Sequence, residues 1–349
     1  MNKKSLKYSK LAAFTALTLV QLLFSSQNSS DTTGANFDQS LAEKFQHESR
    51  FDSSIVYFEK AAKIWKQNGE WNKYLICVRG ISSSIIRKGD IPNSLEVLLS
   101  AEKIFDKECK NNCSEIGSIY TMIGYIYNVK ENYDLSIEYS NKAIEVNTKF
   151  YGSKSEKIAT SYYTLGVAYN STGKYSLALS ALDQARSIQE KLSSDNQSPL
   201  SNTFMMLGLV HDGLNEFNQA IQNYQQSLQI LEKTRKQNSQ DAGTCHLYLM
   251  LSYNNQSDYV KAIEQGKKVI QIYTDLAMPE NPNVASAYMK LGEIYTTFGD
   301  FEKAKDYLEH SLQIFSSRYP EKKSVIGSLY HLLGNVYKQT GDLTKALAY

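Results

Sequence analysis

Residues 161–192 read SYYTLGVAYNSTGKYSLALSALDQARSIQEKL. Leu165, Gly166 and Tyr169 mark one apolar face, and Tyr175, Ala178, Leu182, Ala185 and Ile188 mark another. Spacings of three and four residues are those of amphipathic α-helices. Between the two faces, Thr172-Gly173-Lys174 is a short turn whose glycine can take positive φ at a helix C-terminus. The stretch therefore predicts two helices folded back on each other. A residue without bulk lets them approach, and large neighbours fill the groove beside it.

Working outward, the same pattern returns every 42 residues. Gly124, Gly166, Gly208, Met250, Gly292 and Gly334 hold the marker position of successive first helices. Nine residues on come Tyr133, Tyr175, Phe217, Tyr259, Phe301 and Leu343. Twelve on come Ser136, Ala178, Ala220, Ala262, Ala304 and Ala346. Ser82 extends the series backward, and Ala42 extends it again by a step of 40. The reading is seven whole hairpins and the start of an eighth over residues 39–349, because such units bury their apolar faces only on one another. Pro199, Pro279, Pro282 and Pro320 fall between hairpins, where a helix is not interrupted.

The pattern L-G-x-x-Y, then G-x-[YF]-x-x-A, then a small residue seven further on, resembles the tetratricopeptide repeat. The usual unit has about 34 residues. The longer unit here is similar to kinesin light chain and to bacterial arrays, and NPNVASAYMKLGEIYTTFGDFEKA is close to the light-chain form. The resemblance implies an all-α, right-handed superhelical solenoid of antiparallel hairpins, with no sheet and with first helices lining a concave groove.

Residues 1–27 stand apart. Lys3, Lys4, Lys7 and Lys10 precede an apolar run over Leu11–Phe24 and a Ser/Gln/Asn tail. This order reads as a secretory signal peptide or an uncleaved N-terminal anchor. Residues 28–38 read as a linker. Export to a periplasmic or extracellular space is the expectation, with membrane attachment only through an uncleaved N-terminus. In an oxidising compartment Cys109 and Cys113 have a local disulfide open to them, two free thiols being the alternative. Cys77 and Cys245 sit alone in helical patterns. The chain closes on TGDLTKALAY, inside a second helix, which leads one to expect further sequence downstream.

The 38 basic and 36 acidic residues are interleaved, without the basic face of a nucleic-acid binder. None of the five His falls in H-E-x-x-H or a paired His–Cys motif, and the Cys pair lacks a second ligand pair. No catalytic residue, metal, cofactor or small-molecule substrate is expected. The reading is a protein-interaction scaffold binding a peptide or protein. Its alternatives are the recruiting or sensor arm of a longer enzyme (a CHAT-type peptidase or histidine kinase) and a cargo adaptor like kinesin light chain. By the family's register, Thr160 and Asn202 lie six before the marker, Tyr163 and Met205 three before, and Asn128, Asn170 and Asn254 four after. These define a neutral, hydroxyl- and amide-bearing wall able to hydrogen-bond a peptide backbone. Binding to such a wall should depend little on salt.

Overall fold

The computed structural model describes residues 32–109, 113–192, 197–234 and 236–349, all in helices and the links between them. Two compact units divide between Ala168 and Tyr169. The first contains α1 (32–47), α2 (Phe51–Gln67), α3 (Trp71–Arg87), α4 (Ile91–Ile104), α5 (Ile116–Val129), α6 (Tyr133–Tyr151) and most of α7 (Glu156–Ser171). The second contains α8 (Tyr175–Gln189), α9 (Ser198–Gly213), α10 (Phe217–Lys233), α11 (Gln240–Asn255), α12 (Tyr259–Asp275), α13 (Pro282–Thr297), α14 (Phe301–Arg318), α15 (Lys323–Gln339) and α16 (Leu343–Ala348). The signal-peptide or anchor segment, 1–27, lies outside the described residues.

Each hairpin closes by the same device. Seven residues after the marker, the chain takes a left-handed turn at Ser49, Gly89, Glu131, Gly173, Asn215, Ser257, Gly299 and Gly341, with φ between 58° and 85°. The next amide then donates back to a carbonyl five residues earlier, as Asp258 does to Tyr253 at 2.9 Å. This satisfies carbonyls the helix leaves orphaned. Asp90, Asn132, Asp258, Asp300 and Asp342 then cap the following helix, accepting from the amide three residues on. Losing such a cap costs about 0.5–2 kcal/mol.

Small residues do the packing the sequence assigned them. Ser54, Ser94, Ser136, Ala178, Ala220, Ala262 and Ala304 are all fully buried, one repeat apart. A Cβ on Gly208 would lie 2.4 Å from the Tyr224 ring, and one on Gly292 would lie 2.5 Å from Leu308. Glycine is therefore what lets the large residue of the second helix seat on the first. The largest fully buried side chains are Trp65 in the first unit and Tyr224 and Tyr273 in the second. Burying a large apolar side chain stabilises by about 1.5–3 kcal/mol.

Two expectations change. The linker of residues 28–38 ends earlier, because 32–38 already belong to α1 and Ala35 is fully buried. Ala35 sits seven before Ala42 and occupies the same small-residue row as Gly117, Ala159 and Ser201. The 40-residue first step also has a structural cause. Residues 68–70 join α2 to α3 by a three-residue turn with Gly69 at φ 70°, of the kind that closes the hairpins. As a result α2 lies along α3 as closely as paired helices do elsewhere. There the Phe58 ring fills the place of a Cβ on Gly80.

Between α4 and α5 the helix widens to a π-turn over Phe105–Cys109. Cys109 and Cys113 are joined by a disulfide, with Cα atoms 6.0 Å apart. Both are buried in the cluster around Phe105 and Ile116.

Candidate functional site

Within the first unit, α1, α3, α5 and α7 bring their inward positions together around a cavity of about 580 Å³. That is the size of a small-ligand site. Ser118 and Thr121 from α5 and Thr160 from α7 give it hydroxyls, and Phe58, Ile76 and Met122 give it an apolar floor. Glu43 from α1, Arg79 from α3, and Glu156 and Lys157 from α7 give it charge. The register that placed Thr160 also places Ile76 and Arg79, six and three before Ser82, and Glu43, one after Ala42. The signal was present in the sequence but lay in the first repeats, where the marker is not glycine.

Lys157 is already neutralised. Its ammonium pairs with Glu115, whose carboxylate also accepts from the Tyr151 hydroxyl at 3.0 Å. Burial pushes the Glu115 carboxyl up, but the Lys157 bond and charge, the Tyr151 hydroxyl and the Arg79 charge outweigh it and hold it below its ordinary value. Arg79, Glu43 and Glu156 are exposed and form no ion pair with any described residue. Gln46 is spent on the fold, donating to the Gly80 carbonyl at 3.1 Å and to Ser84 at 3.0 Å.

Of the seven partner-binding residues named from sequence, Thr160 alone lines this cavity, beside Ser118 and Thr121 of the same inward rows. It is exposed, and its hydroxyl donates to the Glu156 carbonyl at 3.0 Å. Asn128 is half-buried rather than solvent-facing. Its amide donates to the Thr164 carbonyl of α7 at 3.2 Å, and its Oδ1 is buried without a partner. It ties α5 to α7 because the next hairpin stacks over that position. Tyr163 is half-buried on α7. In the second unit Asn170, Asn202 and Asn254 are half-buried, and Met205 packs against the core.

At the position of the asparagine row, α9 carries Asp212. It accepts from Tyr224 at 2.7 Å and from Ser252 on α11 at 2.8 Å. Burial raises its carboxyl despite those two bonds and the charge of His211. His246 contacts Gln265 at 2.7 Å, and burial lowers its imidazole. These polar groups hold helices together. Among the described residues no group of three or more His, Cys, Asp or Glu is arranged to hold a metal ion. No described helix is long and apolar enough to cross a membrane.

Hairpins in fixed register, each buried on the next, with inward first helices carrying the variable side chains, define a solenoid repeat scaffold. The description Tetratricopeptide repeat matches residues 115–191 and 245–317, and a second of the same name matches 201–233 and 327–349. Together they span more than half of the sequence, and the chain belongs to the tetratricopeptide repeat family. Among solved structures, the apo form of the quorum sensor NprR from B. thuringiensis is similar at 18% identity. The likeness covers 97% of this chain and 92% of that one, with a TM-score of 0.66. A Rap protein complexed with Competence and Sporulation Factor is 14% identical, over 91% of this chain and 98% of that one, with a TM-score of 0.54. A putative kinesin light chain from Podosopora anserina is 20% identical, over 58% of this chain and 95% of that one, with a TM-score of 0.50. At such identities the likeness establishes the fold. No curated protein matches the chain in sequence.

Proposed function

We propose that this protein is a non-catalytic interaction scaffold that receives a peptide, or a short segment of a partner protein, against the inward face of its first unit. The observation that carries the reading is the 580 Å³ cavity lined by four first helices and by Phe58 of α2, with Glu43 and Glu156 free of ion pairs among the described residues. The solved Rap complex shows that a protein of this fold can hold a factor. A photo-crosslinking residue at Thr160 tests the proposal. It should trap a partner from native extract, whereas the same group at the exposed Asn141 of α6, a second helix, should not. Equal labelling from both positions would remove the cavity as the binding site.

Export is a separate proposal, supported by the basic start, apolar run and polar tail of residues 1–27. It predicts that N-terminal sequencing of the mature protein begins near residue 28. A mature chain starting at Met1 in the cytoplasm would refute it.

A further inference from the structure

From the charges of this cavity we infer that its occupant is a short cationic peptide, one whose Lys or Arg side chains are met by Glu43 and Glu156. The inference rests on the groove reading above and adds the chemistry of the ligand. Three of the four charged side chains in the cavity wall bear on it. Glu43 comes from the first of the lining helices and Glu156 from the last, while Arg79 stands on α3. Lys157 is cancelled by Glu115, so the wall offers a vacant ligand two carboxylates against one guanidinium. Glu43 takes a hydrogen bond from Gln39 at 3.1 Å, but that amide is neutral and leaves its charge in place.

The floor fits the same class of ligand. Ile76 and Met122, both half-buried, present apolar surface in the same wall. Lys and Arg combine an apolar stem with a charged head and can use both at once. Arg79 feels the charge of Glu115 but forms no direct ion pair among the described residues, and a peptide backbone carbonyl or terminal carboxylate can accept from its guanidinium. An acidic peptide would instead face two like charges for each favourable one, and like charges cost about what opposite charges gain. A phosphate backbone is disfavoured for the same reason.

Three fluorescent tetrapeptides test this with the purified chain: alternating leucine–arginine, leucine–glutamine and leucine–glutamate. The arginine peptide should bind most tightly and weaken as salt rises. Glu43→Gln with Glu156→Gln should cut its affinity about two- to thirtyfold, the range of two exposed charge pairs. Both glutamates are exposed, so the fold should survive. If the arginine peptide binds no better than the other two, or if the double variant binds it unchanged, the inference is overturned. Thr160→Trp, which puts an indole into the cavity mouth, separates the two readings. If Thr160→Trp blocks a peptide that the charge variants do not affect, the groove stands and the cationic ligand falls. If no peptide responds to Thr160→Trp, the groove falls as well.

Discussion

The two units use one register for packing and put different chemistry on the faces it leaves over. In the first, the inward positions converge on a cavity with Arg79, Glu43 and Glu156 in its wall. In the second, Asn202, Met205, Asn254 and Met289 at the equivalent positions are half-buried, Asp212 is committed to Tyr224 and Ser252, and Glu293, the counterpart of Glu43, pairs with Lys290. The buried rows barely change along the chain while the inward rows change freely. The fold is therefore specified by small residues buried between helices, and the inward faces are left to residues the fold hardly constrains. Salt should accordingly weaken binding to the cavity of the first unit.

The comparison breaks most readily at the markers. Gly208→Leu should destabilise the second unit by about 3 kcal/mol, the upper end of overpacking costs, because the Tyr224 ring already lies 2.4 Å from the added Cβ. Gly124→Ala should cost the first unit less, since its nearest neighbour is the Ser140 hydroxyl at 3.0 Å. Denaturant melts of both variants check this, and equal losses would mean that the two units do not differ at the marker.

Acid should act on the Glu115 and Asp212 contributions in opposite directions. Glu115 is held below its ordinary value, so its contribution is present above the unfolded value and is lost as pH falls through the folded one. Asp212 is raised, so the folded state holds its proton more tightly. Its contribution is largest in acid and fades as pH rises through the folded value. His246, being lowered, works against the second unit as pH falls below the ordinary imidazole value. Melting Glu115→Gln and Asp212→Asn against the parent from pH 3 to pH 7 separates these terms. The Glu115 difference should shrink toward acid and the Asp212 difference should change with the opposite slope; parallel slopes would defeat the assignment.

The smallest effect sharpens the comparison at the turns. Glu131 in the first unit holds φ 58°, and Asn215 in the second holds φ 60°. A left-handed L-residue costs about 1–2 kcal/mol, part of which glycine's extra chain entropy offsets. Glu131→Gly should therefore stabilise by about 0.5–1 kcal/mol. Asn215→Gly should be close to neutral, because asparagine tolerates that region.

The hairpins were legible because small residues at fixed intervals have one explanation, close helix approach, and that explanation depends only on the repeat itself. What depends on neighbouring repeats was less legible. Asn128 looked like a wall residue, but the stacking of α7 half-buries it and gives its amide a carbonyl. Arg79 and Glu43 followed the same register, yet a cavity arises only when four helices converge, and no single repeat carries that information. The start of α1 was missed because Thr32, Thr33 and Gly34 have weak helix propensity. Ala35, buried in the unit, overrides it.

The links themselves set where this chain can tolerate interruption. Helices α1 to α4 are joined by three-residue turns alone, at 48–50, 68–70 and 88–90, each stitched back to the preceding helix by backbone hydrogen bonds. Such turns offer a protease no slack and a grafted sequence no seat. Links such as 152–155, 276–281 and 319–322 are longer and partly exposed, and two of them contain a proline. Limited proteolysis should nick the protein there first. The same links are where an extra loop, a tag or a second binding module can be spliced in while the first four helices remain a single uncut block.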